Sequence, residues 1–135
     1  MSLRKRVVVY VERDDGLLVF DHRDHPEAGT QVPAGGVHEG EDLVEAVIRE
    51  VREETGVQLD AKPMPLGTHE HRDGLGQPAL SHFFRVEPPD GLPRAWRHVV
   101  SGDGRDAQLV FDCRFDPAPE LWPVQSVFRS VEGQS

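Results

Sequence analysis

At 135 residues, with 15 lysines and arginines against 24 aspartates and glutamates and a formal net charge of -9, the chain has room for one hydrophobic core. The acidic balance argues against a nucleic-acid-binding surface and an anionic membrane partner. A single cysteine, Cys113, rules out an intrachain disulfide and suits a reducing cytoplasm. Arg4-Lys5-Arg6 and the apolar residues 7–11 superficially look like a signal peptide, but the run ends at Glu12 and is too short for one. No stretch reaches transmembrane length, so the expectation is one domain over residues 1–135 in the cytoplasm. Residues 7–11 read as a fully buried strand, joined through Arg13-Asp14-Asp15-Gly16 to a second strand at 17–21. A polar loop over 22–30, with Pro26 and Gly29, leads through a short extended piece into a tight turn at Pro33-Ala34-Gly35-Gly36.

Leu43, Val44, Val47, Ile48 and Val51 then recur at the spacing of an amphipathic helix over about 42 to 55. Asp42 with Glu45 forms a capping-box pattern, and Gly56 sits where a left-handed terminator belongs. Glu50, Glu53 and Glu54 fall on one flank, where like charges repel, so stability does not explain them. One turn earlier that flank carries Ala46, whose small side chain would leave room for an ion or a substrate. Such a cluster becomes favourable around a hard divalent cation, which prefers oxygen ligands and completes its shell with water and phosphate. Arg49 lies four residues from both Glu45 and Glu53 and can pair with either.

Counted from Gly35, Glu41 follows after five residues and Arg49-Glu50 after seven more; then come Val51, a spacer, Glu53-Glu54, a spacer, Gly56 and Val57. This stretch resembles the Nudix box and matches it at every defining position. The resemblance implies Glu50 and Glu54 as principal metal ligands, with Glu53 as a further ligand or the base that activates water. It adds the Ala34 carbonyl to the metal shell, Mg²⁺ or Mn²⁺ as the ion, and Gly35, Gly36, Glu41, Arg49 and Gly56 as residues that brace the loop and helix.

After the helix, residues 66–72 and 80–87 read as strands joined by a hairpin-like connection, and 88–107 as a long loop rich in proline, glycine and charge. Residues 108–115 alternate as a strand, with Cys113 on its inner face beside Leu109, Phe111 and Phe115. A short helix follows over 124–131 with Val124, Val127, Phe128 and Val131 inward. This order agrees with the Nudix fold, an α/β (α+β) arrangement with a mixed β-sheet between helices. Arg23 is placed for a phosphate contact or is a solvated loop arginine. Trp96, with Arg97 beside it, either stacks on a nucleobase or packs as a lid. His69, His71 and His82 read as strand histidines rather than a zinc site. Many Nudix enzymes carry a glutamate downstream of the box, whereas residues 88–107 contain none; Asp90, Asp103, Asp106 or Glu120 would substitute, or Glu53 acts alone. Gln31 stands where many relatives have an aromatic residue.

The resulting expectation is a metal-dependent pyrophosphohydrolase acting on a small nucleoside diphosphate derivative, with nucleoside di- or triphosphates favoured and a homodimer in keeping with the family. The rival is a non-hydrolytic Nudix-fold domain that binds a nucleotide metabolite or a protein partner.

Overall fold

The computed structural model describes residues 3–100 and 109–129. In chain order it contains strands β1 (Arg4–Arg13), β2 (Gly16–His22) and β3 (Ala34–Gly36), helix α1 (Leu43–Thr55), strands β4 (Met64–Arg72), β5 (Pro78–Val86), β6 (Ala95–Val99) and β7 (Val110–Asp116), and a short helix α2 (Pro123–Ser126). The seven strands make one mixed sheet in the order β4-β5-β1-β2-β7-β6, with β3 pairing on β1. Strands β1 and β5 run parallel from Arg4↔Ala79 to Val11↔Val86, and the remaining pairs are antiparallel.

The sheet forks at its centre. Strands β1 and β2 pair beside their turn, at Glu12↔Leu17 and Arg13↔Gly16, and then part. Residues 31–36 enter the gap: Gln31 exchanges backbone hydrogen bonds with Phe20 at 2.8 and 3.0 Å, the Val9 amide donates to the Pro33 carbonyl, and Ala34 to Gly36 pair with Val8 to Arg6. The segment expected as a tight turn is therefore a short strand, stitched to β1 by its backbone.

Both faces of β1 are covered, as its unbroken apolar run requires. Val7, Val9 and Val11 pack with Val47 and Val51 of α1, while Val8 and Tyr10 join Val32 and Phe83 on the other face, under Val127 and Phe128 of the C-terminal segment. Each such side chain, fully buried, contributes about 1.5–3 kcal/mol. The sheet thus lies between α1 and the segment carrying α2, the expected α+β sandwich with fewer helical residues than anticipated. Within that plan Val44 and Val124, expected inward, are 37% and 42% exposed. Val131 lies outside the described residues. The largest departure is β6, which occupies part of the segment read as a long loop. There Trp96, His98 and Val100 alternate with the exposed Arg97 and Val99.

The Tyr10 hydroxyl donates to the Gln125 carbonyl at 2.6 Å and accepts from the Phe128 amide at 3.3 Å, tying β1 to the C-terminal segment. Tyr10→Phe strands both backbone groups and is expected to destabilise by about 1–3 kcal/mol, read as a lower denaturant midpoint with an unchanged m value.

Candidate active site

The three helix glutamates are positioned by devices at both ends of α1. At its start Asp42 accepts from the Glu45 amide at 2.8 Å and Glu45 accepts from the Asp42 amide at 3.0 Å, closing the capping box. Glu45 is therefore committed to the cap and is not a partner of Arg49. At its end Gly56 adopts φ 80, in the left-handed region, and a Cβ there would come within 2.9 Å of His98 Nδ1. The carbonyls of the last turn, which a helix leaves without internal partners, are met from the sheet. Trp96 Nε1 donates to Thr55 at 2.8 Å, His98 Nε2 lies 2.9 Å from the Glu53 carbonyl, and the Cys113 sulfur lies 4.0 Å from the Glu54 carbonyl and 3.9 Å from the Phe111 carbonyl in its own strand.

Strand β3 supplies the facing wall. Its bonded positions, with Val9 on Pro33 and Val37 on Lys5, leave the peptide groups of Ala34 and Gly36 directed away from β1. The Ala34 amide donates to Glu54 Oε1 at 3.0 Å, and the Gly36 carbonyl accepts from Arg49 Nη2 at 2.8 Å. The Ala34 carbonyl lies along the same edge. Gly35 between them faces α1, and a Cβ built on it would fall inside the Glu50 carboxylate. Closeness to Glu50, not a turn, is what requires glycine here.

Arg49 is the hub. It grips Glu41 through Nε at 2.7 Å and Nη2 at 2.9 Å, while Nη1 reaches Glu50 and Glu53, each at 3.2 Å. The guanidinium holds the Glu41 carboxyl down at about 2. Burial pushes Glu50 up to about 7, against the pull of Arg49. Burial and the neighbouring Glu50 charge push Glu54 well above the ordinary carboxylate range. Two desolvated carboxylates that resist ionisation side by side suit a bound cation, which would relieve both burdens at once. Among the described residues, no three acidic, histidine or cysteine side chains close on one point. The donors are all oxygen and incomplete, which fits a hard divalent ion that keeps water and takes further ligands from phosphate.

These carboxylates open onto a cleft of about 490 Å³. Arg4, Gly36 and Arg49 line it near the acids, and His22, Gln31 and the edge of Phe111 lie on the side of β2 and β7. The His22 ring rests against Phe111, with centroids 4.3 Å apart. Gln31, in the position where an aromatic was in question, is held by its backbone to Phe20 and by its side chain to the Ala28 carbonyl at 3.3 Å.

Other candidates fall elsewhere. Ala46 is fully buried in the core and leaves no room beside the acids. Arg23 is exposed and paired with Asp24. Trp96 is part-buried with its indole nitrogen spent on α1, and Arg97 faces out from β6 to Asp112 at 2.8 Å. Asp90 lines a separate groove with Arg13 and Arg85, Glu120 is exposed, and Asp103 and Asp106 lie outside the described residues. His69 and His71 stack on one face of β4, whereas His82, opposite Thr68, points to the other, so the three do not converge. Cys113 is buried, its thiol pushed up to about 12 mainly by burial. Sequence reasoning missed Arg4 and Arg6, set aside as leader-like charge, and His98, whose alternation with Trp96 and Val100 was the available signal.

A NUDIX domain family model matches residues 2–125. Over 134 aligned residues the chain is 42% identical to the NAD-capped RNA hydrolase NudC of Klebsiella pneumoniae, covering 93% of this chain and 44% of that protein. The chain thus spans less than half the length of that curated relative. Among solved structures, a MutT NUDIX hydrolase from Burkholderia pseudomallei superposes with a TM-score of 0.63 at 21% identity, covering 94% of this chain and 95% of the other. The MutT protein from Methanosarcina mazei Go1 gives 0.66 at 15%, covering 98% and 94%. At those identities the structures speak for the fold.

Two outcomes follow from this geometry. Gly35→Ala should displace the Glu50 carboxylate and cost about 1–3 kcal/mol, seen as a lower midpoint in chemical denaturation. In metal-free protein, the raised Glu50 value means its stabilising contribution is fully present below the ordinary glutamate value and is lost as pH rises through about 7. Glu41, held at about 2, works the other way, and its contribution disappears only in strong acid. Glu50→Gln should therefore flatten the loss of stability between about pH 5 and 8, an effect on the order of 2 kcal/mol, in melts recorded with chelator.

Proposed function

The chain belongs to the Nudix hydrolase family, and on that premise we propose that it is a Mg²⁺- or Mn²⁺-dependent pyrophosphohydrolase that cleaves the diphosphate linkage of a nucleoside diphosphate derivative. The observation that carries this reading is the placement of Glu50 against Gly35 and of Glu54 on the Ala34 amide, with Glu53 lining the same cleft. Glu50 and Glu54, with the Ala34 carbonyl, would hold the metal. Bound there, the ion would neutralise the diphosphate and lower the pKa of a water.

The chain's own groups do the rest. Glu53 is the least enclosed of the three acids that Arg49 touches, its side chain 26% exposed against 10% for Glu50 and 14% for Glu41. It would receive the proton of a water whose oxygen attacks one phosphorus while the bridging oxygen leaves with the other, giving two phosphorylated products. Arg49 orients Glu53 through the 3.2 Å contact while its grip on Glu41 and Gly36 fixes the guanidinium itself. The Ala34 amide fixes one oxygen of Glu54.

Nucleoside di- and triphosphates are the favoured substrates. The Klebsiella relative is named for NAD-capped RNA, so a dinucleotide diphosphate belongs beside them. A hydrolysis panel with Mg²⁺ and with Mn²⁺, its products identified by mass, decides between them and shows which bond breaks. Glu54→Gln should lower turnover by about a hundredfold or more while leaving the melting profile folded and cooperative. Retention of most of the activity in that variant would refute the assignment, and metal-independent binding with no turnover of any compound would favour a binding domain.

A further inference from the structure

The cleft that must take a polyphosphate belongs to a chain of net charge -9, and its central cation is already spent. Arg49 is bound to Glu41, Glu50, Glu53 and the Gly36 carbonyl. Arg4 is the other arginine among the described lining residues.

Arg4 is half in solvent, and its Nη1 donates to Asp73 at 3.0 Å. Asp73 does not depend on that bond, because it also accepts the amides of Leu75 and Gln77, both at 2.9 Å, in the hairpin turn between β4 and β5. The pair is open on the arginine side, 53% exposed against 10% for Asp73, and releasing it leaves Asp73 Oδ1 with both amide donors. Arg4 is therefore free to exchange Asp73 for another anion.

Arg6 stands two residues along the same face of β1, directly opposite Gly36 of β3. It is part-buried, and among the described residues its side chain makes no hydrogen bond or ion pair. Its charge is felt by Glu50 and Glu54. A second cavity of about 200 Å³, lined by Arg6, Val8, Ala34, Asp73 and Gln125 among others, adjoins β3 on the face away from α1, whereas Arg4 lines the carboxylate cleft, so the two arginines reach the rim of β3 from the two cavities. Gly36 adds no side chain to that rim, and the nearest atom to a Cβ built there is Arg4 Nη2, at 3.9 Å. Two residues apart on a strand, the arginines start about 7 Å from each other, within reach of one anionic group for side chains of this length. Unpaired guanidinium at a part-buried site favours a doubly charged, multi-oxygen anion, which it binds in a fork.

We propose that Arg4 and Arg6 form the seat of a phosphate group beyond the diphosphate that is cleaved, so that substrates carrying one are preferred over otherwise identical substrates lacking it. This rests on the pyrophosphohydrolase reading and goes further in naming the charge of the substrate. The extra phosphate can be the third of a nucleoside triphosphate or a phosphomonoester on the sugar of a dinucleotide.

The test uses two substrate pairs with the full chain and Mg²⁺: adenosine diphosphate against adenosine triphosphate, and a nicotinamide adenine dinucleotide without and with a 2′-phosphate. Arg4→Gln and Arg6→Gln should each raise KM about tenfold for the member with the extra phosphate in at least one pair, with little change for its partner and in kcat. Asp73→Asn, which weakens the resting partner, should lower KM for the same compound. A preference confined to the first pair identifies a terminal phosphate, and one confined to the second identifies the sugar phosphate. Equilibrium binding to Glu53→Gln, with and without each arginine change, gives the same comparison independently of turnover. Equal effects on both members of both pairs, or no binding of any of them, would overturn the proposal. Selective binding without turnover by the unaltered protein would leave the seat standing and remove the hydrolase reading.

Discussion

One guanidinium shared among Glu41, Glu50 and Glu53 is the interaction on which the site depends. Without Arg49 these acids would face one another across the flank of α1 with nothing to offset their repulsion. The pairing is deliberately unequal. Glu41 takes two of the five donors in a side-on grip and is locked as an anion, whereas Glu50 and Glu53 share a single nitrogen at longer range. The first contact anchors the loop. The second pair leaves carboxylate oxygens with capacity to spare.

That arrangement reaches back into the backbone of the sheet. The carbonyl of Gly36 and the amide of Ala34 face the helix because β1 and β2 part and let residues 31–36 pair into the fork. An antiparallel strand offers its outward peptide groups at every second residue, so a three-residue strand presents two such positions, and α1 uses both. The short β3 serves less as sheet than as a ruler that sets where Arg49 and Glu54 stand.

Much of this was legible in the sequence because it is local. The capping box at Asp42 and Glu45, the left-handed Gly56 and the shared flank of Glu50, Glu53 and Glu54 all follow from helix geometry within one turn. Contacts made across the sheet were harder to read. Whether Arg49 chose Glu45 or Glu53 depended on the capping box claiming the former. The glycine at 35 looked like a turn residue because its neighbour in space, Glu50, lies 15 positions away. Strand β6 was hidden by Pro88, Pro89 and Pro93 just before it and by the charges within it, although Trp96, His98 and Val100 keep period two. Ala46 was misplaced because the flank and the buried stripe of a helix are one residue apart in angle, and an alanine fits either.

The partners that β6 brings to the carbonyls of Glu53 and Thr55 give the two ends of α1 different lives. The far end is hydrogen-bonded to β6, so it opens with that part of the sheet. The near end, closed by exposed side chains at Asp42 and Glu45, can fray on its own. Slow amide exchange should therefore concentrate around the last turn, on the half of the helix that carries Glu50, Glu53 and Glu54.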